Sequence, residues 1–395
     1  MGNNKEEENM IEDYLLYLPN LVLYEIFAKL PAEHIIELRH SSKYWNEVTT
    51  RNKFIEASFL QSEPSLLIQV ASSIPRRLNF KLKLLELDES RLCFKLKRFV
   101  TSRMGKVRST CNGLLLVNDT NHKKILLVAN FVTKCCLTLP PCPSGCPHRT
   151  CGSALVFDPY EKRYKVIHIY ADSFGFEVFT LGSSEWKIIP GPFHDHELHN
   201  RPFDERYRWS DPLSTDGQLF LHWKVASDSY IISMDACKET FRKTHLPHHI
   251  DKKRYSLLEM NGYLALISNV SSTQFDVWVL KNYQEQIWHK SYSILADSIS
   301  YLDKNALMTT RSMDLDPNAL PDFKKLEPVV SLRNRNSEVI VLRHQRSGCW
   351  YIYETKFKVL NKLKNMMNRD CNFIHYKSSL VHWKYDEELL ARETI

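Results

Sequence analysis

Long apolar runs are missing from this sequence. None reaches 18 residues, so no segment is expected to cross a membrane as a helix. An export leader is missing too: the chain opens Met-Gly-Asn-Asn-Lys-Glu-Glu-Glu, acidic and without the apolar core such a leader needs. The Met-Gly start fails as a myristoylation signal, because Glu6 stands where Ser or Thr is required. Cysteine is absent before Cys93. Ten cysteines without a leader read as reduced thiols of the cytoplasm or nucleus, which leaves the sequons at Asn118 and Asn269 without meaning. No Gly-rich phosphate loop, HExxH or GxSxG occurs. Nothing therefore nominates a nucleophile, a base and an orienting group, and the expectation is no active site and no cofactor.

What is present is ordinary for a globular chain. Its 395 residues are 43% hydrophobic and 25% charged, enough for a sizeable core and two or three domains. The net charge of +7 is unevenly shared. Residues 1–60 carry 6 Lys+Arg against 10 Asp+Glu, leaving 47 against 36 for the rest. Residues 76–108 hold 11 basic against 3 acidic side chains. There Phe80, Leu82 and Leu84 alternate with Lys81 and Lys83, and Leu92, Phe94 and Leu96 alternate with Cys93, Lys95 and Lys97, around Asp88-Glu89-Ser90. That pattern predicts a hairpin with one apolar and one solvated face, and no nucleic-acid partner.

The N-terminal part reads as helix. After an acidic, disordered segment over 1–16, residues 17–60 hold two Leu-Pro pairs, Leu18-Pro19 and Leu30-Pro31. Proline is tolerated at a helix start, so each pair opens a helix. Val22, Leu23, Ile26, Phe27 and Leu30 recur at three- and four-residue steps. Ile35, Ile36 and Leu38 continue the stripe, and a third short helix carries Tyr44, Trp45 and Val48. Three helices of this length bury too little to stand alone, and with no cysteine or metal set the stripe reads as an interface rather than a finished core.

Leu18-Pro19, Ile26, Leu30-Pro31, Leu38 and Lys43-x-Trp45 resemble an F-box, the motif by which substrate receptors dock onto the Skp-type adaptor of a Skp–cullin–F-box ubiquitin ligase. The resemblance implies that Leu18, Pro19, Ile26, Leu30, Pro31 and Leu38 face the adaptor, with Lys43 and Trp45 supporting the third helix. Where the family carries a valine and a small residue before the lysine, this chain has Ser41 and Ser42, which thin the apolar face expected of that helix.

Residues 61–77, with prolines and serines, read as a junction, and the period then changes to two over 78–390. Asn112-Gly113, Asp216-Gly217 and Asn261-Gly262 each precede an apolar strand. A second element, strand then polar turn then aromatic, ends at Trp186, Phe241 and Trp288. Spacings of 40–50 residues are those of propeller blades. Six units fit, near 78–103, 107–141, 150–190, 212–248, 255–295 and 330–363, the first short by a strand or two. The stretch Cys371–Trp383 is placed to complete it and close the ring, which leaves no long sheet edge. An open two-sheet domain is the alternative. Ser109-Thr-Cys-Asn-Gly-Leu-Leu, Phe157-Asp-Pro-Tyr, Ser184-Glu-Trp186 and Val277-Trp-Val-Leu-Lys-Asn-Tyr resemble the F-box-associated, kelch-like domain of plant F-box proteins. Where that family has Asn-Pro-x-Thr, Asn130-Phe131-Val132-Thr133 stands here.

The expected fold is α+β multidomain: a small three-helix F-box followed by an all-β propeller-like domain of about six blades. The expected partners are a Skp-type adaptor, a cullin through it, and a target protein. A propeller enzyme or binder with an incidental helical cap is the alternative. Two clusters suggest metal. Cys142, Cys146, His148 and Cys151 lie close in a Pro-rich segment, but structural zinc sites come as two spaced pairs, so an exposed loop of thiols is expected and no metal is assigned. His194, His196 and His199, with Arg201, Arg206 and Trp209, fall in a long insertion running to Pro212, a candidate target-contact loop.

Overall fold

The structure is a computed structural model. It describes residues 19–71, 80–88, 93–102, 105–118, 125–145, 151–170, 175–191, 212–215, 219–225, 227–248, 250, 254–301, 320–333, 337–363 and 371–383. Four helices come first: α1 (Asn20–Ala28), α2 (Ala32–Ser41), α3 (Lys43–Thr49) and α4 (Asn52–Gln61). Pro19 and Pro31 each stand one residue before a helix, and their carbonyls accept its first bonds, from Val22 N at 2.9 Å and His34 N at 3.0 Å. The fourth helix was not expected. Only Phe54 and Ser58 on it are buried, too thin a stripe to announce a helix by periodicity. Ser41 ends α2, its Oγ donating to Leu38 O at 2.9 Å, and Ser42 is the extended link to α3. The serines therefore sit at a bend between helices rather than on an apolar face.

The strands form six sheets arranged as a propeller. Blade 1 joins β1 (Pro64–Ala71), β2 (Phe80–Asp88) and β3 (Cys93–Ser102) to β25 (Cys371–Lys377), in the order β25-β1-β2-β3. Blade 2 is β4 (Val107–Cys111) to β7 (Cys135–Thr138), with β5 (Leu114–Asn118) and β6 (Leu126–Asn130) between. Blade 3 holds β8 (Gly152–Asp158), β9 (Arg163–Tyr170), β10 (Gly175–Thr180) and β11 (Lys187–Ile189). Blade 4 holds β12 (Leu213–Thr215), β13 (Phe220–Trp223), β14 (Tyr230–Asp235) and β15 (Thr240–His245). Blade 5 runs from β16 (Tyr255–Met260) through β17 (Tyr263–Ser271) and β18 (Gln274–Asn282) to β19 (Ile287–Leu295). Blade 6 comprises β21 (Leu326–Arg333), β22 (Glu338–His344), β23 (Trp350–Glu354) and β24 (Val359–Leu363), with the short β20 (Ser300–Tyr301) parallel beside β24.

Ring closure follows the expected route with one correction. β25 pairs antiparallel with β1, Leu66 opposite His375 and Ile68 opposite Phe373. Yet β1 lies inside the stretch 61–77 that the prolines and serines mark as a junction. Pro64 is tolerated because it is the first residue of its strand, and Leu66, Leu67 and Ile68 behind it are fully buried. An apolar cluster fills each of the six seams, the last joining Leu66, Ile68 and Leu85 of blade 1 to Val339, Val341 and Trp350 of blade 6. Blades stacked face to face need both sides covered. Accordingly β2 is not apolar on one face only: Leu82 and Leu84 pack toward blade 2, and Leu85 and Leu87, on the opposite face of the strand, pack toward blade 6.

The two sequence repeats have physical counterparts. Asn112-Gly113 and Asn261-Gly262 turn with φ of 50° and 80°, and of 57° and 81°. In the polar turns, Asn130, Asp158 and Asp235 accept backbone N–H groups two and three residues on, and the residues four further, Lys134, Lys162 and Glu239, take positive φ. The aromatic that follows is a staple between blades: Trp186 Nε1 donates to Pro140 O at 2.9 Å, and Trp288 Nε1 to His245 O at 2.7 Å. In each meander, the turns after the first and third strands share one face of the ring. The remaining connections share the other face.

Candidate functional site

The helical cap sits on the first of those faces. Leu23, Phe27, Ala28, Ala32, Ile35, Val48 and Phe54 form its core, and Val132 of the β6–β7 turn and Leu380 beyond β25 complete it. Edge-on aromatic pairs tighten it, Tyr24 to Phe54 at 5.1 Å and Phe27 to Trp45 at 4.4 Å. Arg39 ties α2 to α3, its guanidinium donating to Thr49 O at 2.6 Å and to Thr49 Oγ1 at 3.1 Å. Part of the predicted stripe is thus a finished core after all. Leu23 and Phe27 would each gain about 1.5–3 kcal/mol from such burial.

Polar contacts fix the cap in place. Ser378 Oγ donates to Glu33 Oε1 at 3.0 Å, and Ser62 Oγ donates to Ser378 O at 3.0 Å. The Lys377 ammonium lies 4.6 Å from the Phe59 ring. The segment after β25 is held in turn by blade 2. Asn130 Nδ2 donates to Ser379 O at 3.0 Å and Val381 O at 2.9 Å, while Ser379 Oγ donates to Asn112 O at 2.6 Å. Gly113 is required there twice over, by its φ of +80° and because a Cβ would lie 2.7 Å from Lys377 O.

The outer face of the cap is different. Leu21, Val22 and Ile26 are 71, 40 and 42% exposed, beside exposed Pro19 and Pro31 and near exposed Tyr44. Of the residues expected to face a partner, Pro19, Ile26, Pro31 and Lys43 are exposed, and Leu30, Leu38 and Trp45 are half-buried against the helical core. Leu18 lies outside the described residues. Leu21 and Val22 belong to this outer face, and the i, i+4 step from Val22 to Ile26 was the available signal.

Residues 15–56 match the F-box domain, and residues 70–314 match the F-box associated beta propeller domain. The chain belongs to the F-box-associated β-propeller family. It is a plant-type F-box protein. F-box protein At3g07870 of Arabidopsis thaliana is 26% identical to it over 310 residues, 70% of this chain and 72% of that protein. Putative F-box protein At1g33530 of Arabidopsis thaliana is 27% identical over 286 residues, 67% of this chain but 59% of the relative. A chain of the Nidogen/Laminin complex aligns over 80% of this chain and 99% of its own length at 8% identity, but its TM-score of 0.41 is too low to carry an argument.

Two further features of this F-box protein bear on function. A cavity of about 420 Å³ is lined by the first strands of blades 2, 4, 5 and 6 and by β25, with Arg108, Glu259 and His375 among its walls. The Cys142 loop is not the exposed thiol loop expected: Cys142 and Cys151 are buried, and the Arg108 guanidinium donates to Cys151 O. Cys146 and His148 lie outside the described residues, as do His194, His196, His199, Arg201, Arg206 and Trp209. No helix among the described residues is long and apolar enough to cross a membrane.

Proposed function

We propose that this chain is the substrate-recognition subunit of a Skp–cullin–F-box ubiquitin ligase. The observation that carries the reading is the apolar outer face of the cap. Leu21, Val22 and Ile26 stand in solvent on a helical unit whose inner face is anchored to a propeller. A Skp-type adaptor is the partner an F-box calls for, and a cullin joins through it. Pro19, Ile26, Leu30, Pro31 and Leu38 contribute to the docking face, together with Leu21 and Val22, and Lys43 and Trp45 support it from α3. Leu18 belongs with them by sequence.

The target docks on the face of the ring away from the cap. β11 ends at Ile189 and β12 begins at Leu213, so the connection carrying His194 to Trp209 starts and finishes on that side. The chain itself performs no chemistry. It holds a target lysine near the ubiquitin-charged enzyme and turns a bimolecular encounter into a nearly intramolecular one. Attachment of the cap at several points keeps that distance fixed. The division into an F-box over 17–60 and a receptor domain, expected over 78–390 and extended back to Pro64 by β1, serves these two contacts, in the cytoplasm or nucleus, without nucleic acid or membrane.

Co-purification with a Skp-type adaptor tests the reading. Ile26→Asp and the double substitution Leu30→Ala with Pro31→Ala should each abolish co-purification. For Ile26→Asp the unfolding free energy should stay within about 0.5 kcal/mol of the parent, as for an exposed site. Adaptor binding unchanged in both variants would overturn it.

A further inference from the structure

The segment after β7 brings together a donor set that is scattered in the sequence. Cys142 Sγ, a ring nitrogen of His168 and a carboxylate oxygen of Glu177 all lie within 4.8 Å of one another, and all three residues are buried. Strand register does the gathering. His168 on β9 stands directly opposite Glu177 on β10, with Ser153 of β8 on its other side. The loop then lays Cys142 against that row.

Neighbours orient each donor. Ser153 Oγ lies 3.1 Å from His168 Nδ1, as the outer hydrogen-bond partner of a ligating histidine does. Ser144 N donates to Glu177 Oε1 at 2.7 Å, and Ser144 Oγ stands 3.1 Å from Glu177 Oε2 and 3.3 Å from Cys142 Sγ. Trp186 packs edge-on to the imidazole at 6.3 Å, helping to cover the site.

We propose that Cys142, His168 and Glu177 hold a zinc ion. The donor chemistry fits: thiolate sulfur, imidazole nitrogen and carboxylate oxygen are the three ligand types zinc takes, at about 2.0–2.3 Å. The charge fits as well. A thiolate and a carboxylate together carry two negative charges, which a divalent ion cancels, whereas two buried anions side by side without a cation are costly. Tetrahedral geometry at those bond lengths brings neighbouring donors to about 3.5 Å, so the side chains need close by little more than an ångström. With three protein donors the fourth position is left to water, a coordination more open than that of four-ligand structural sites. The ion rivets the β7–β8 connection to the middle of blade 3.

A nearby row shows the alternative. On blade 4, His222 Nδ1 lies 2.8 Å from Ser233 Oγ, which lies 2.8 Å from Thr244 Oγ1. Hydroxyls satisfy that histidine, with neither acid nor thiol in the chain of contacts. Burial of all three donors in blade 3 also leaves no approach for a substrate carbonyl, which separates the set from a nucleophilic Cys–His pair.

The test is zinc content of the purified full-length chain by elemental mass spectrometry, with cobalt loading of the same chain. About one zinc per chain is expected, together with the thiolate-to-cobalt charge-transfer band and the visible spectrum of a tetrahedral ion. Cys142→Ser should lose the band and hold at least tenfold less zinc, while Cys237→Ser, remote from the cluster, should keep both. Because a variant can lose metal merely by unfolding, the parent decides: it should melt lower after chelator treatment and recover when zinc is restored. A parent chain with no zinc and no cobalt charge-transfer band overturns the proposal, and so does a Cys142→Ser chain that retains its metal.

Discussion

Two of the seams in this molecule, one between blades and one between cap and ring, are built differently. Between blades 3 and 4 an apolar bed of Ile167, Ile169, Phe176, Leu221, Trp223 and Met234 is joined by an ion cluster that runs from buried Lys165 and Asp158 to exposed Glu161 and Lys187. Lys165, only 2% exposed, lies 2.9 Å from Asp158, 3.4 Å from Glu161 and 3.7 Å from Glu239 across the seam, and Glu239 reaches Lys187 at 2.6 Å. Burial works against the charge on Lys165, but its hydrogen bond with Asp158 and the surrounding acids outweigh it and hold the ammonium above its ordinary pKa. Burial likewise opposes the Asp158 carboxylate, and Lys165 with the backbone N–H groups of Glu161 and Tyr160 holds it below the ordinary range. Burial first, then Asp158 and Asp235, pushes the nearby Cys237 thiol up to about 11.

The seam between cap and ring contains no such cluster among the described residues. Val132 and Leu380 enter the helical core, and the hydroxyl contacts of Ser62 and Ser378 and the Lys377–Phe59 contact fasten it further. In the blade seam, removing Lys165 strands the Asp158 carboxylate in a poorly solvated place. The cap seam is narrow and separable.

Removing residues 371–395 strikes both seams at once. It takes the inner strand from blade 1 and the seat of Leu380, and the largest effect is expected: no soluble folded chain, read by expression and circular dichroism. A truncated chain with a cooperative melt would show that blade 1 closes without β25. Next, Lys165→Ala leaves Asp158 and Glu239 without their buried cation and should cost about 3–5 kcal/mol of global stability, read by denaturant melting. A loss below about 1 kcal/mol would mean that water reaches the cluster.

Leu380→Ala should cost about 2–5 kcal/mol, felt by the cap alone. Limited proteolysis should then release the helices while the ring persists; if both are digested together, the seams are coupled rather than separable. The smallest effect is tied to pH. Burial, then the Arg242 charge, lowers the His222 pKa to about 3, so the folded state keeps it neutral while the unfolded chain takes up a proton below about pH 6.5. Stability is lost as pH falls through that window, on the order of 2–3 kcal/mol between pH 6.5 and 4.5. His222→Gln should flatten this slope, as measured by melts at several pH values. An unchanged slope would place the acid sensitivity elsewhere, for example at Asp158, whose contribution fades only at lower pH.

The site was legible where its signals are short-range. Leu18-Pro19 and Leu30-Pro31 announced two helix starts, and the stripe from Val22 to Leu30 announced an apolar face. Periodicity could not divide the stripe, because Leu23 and Phe27 obey the same spacing as Val22 and Ile26. Which of them meets solvent depends on Val132 and Leu380, supplied by the ring. The zinc donors were hidden for a related reason: Cys142 stands among other cysteines in the sequence, yet its neighbours in space are set by the β9–β10 register.

By itself the sequence determined the helical start, the turn at each Asn-Gly, the blade spacing and the blade count. These follow from backbone preference and from periodicities of two and about forty residues, which neighbouring residues enforce. Only the tertiary structure decided that Pro64–Ala71 is a strand and that the cap is fastened by residues 345 apart, Glu33 and Ser378. Each depends on a partner that local pattern cannot name. β1 is a strand because β25 and β2 flank it, and the ring closes because that pairing leaves no edge uncovered.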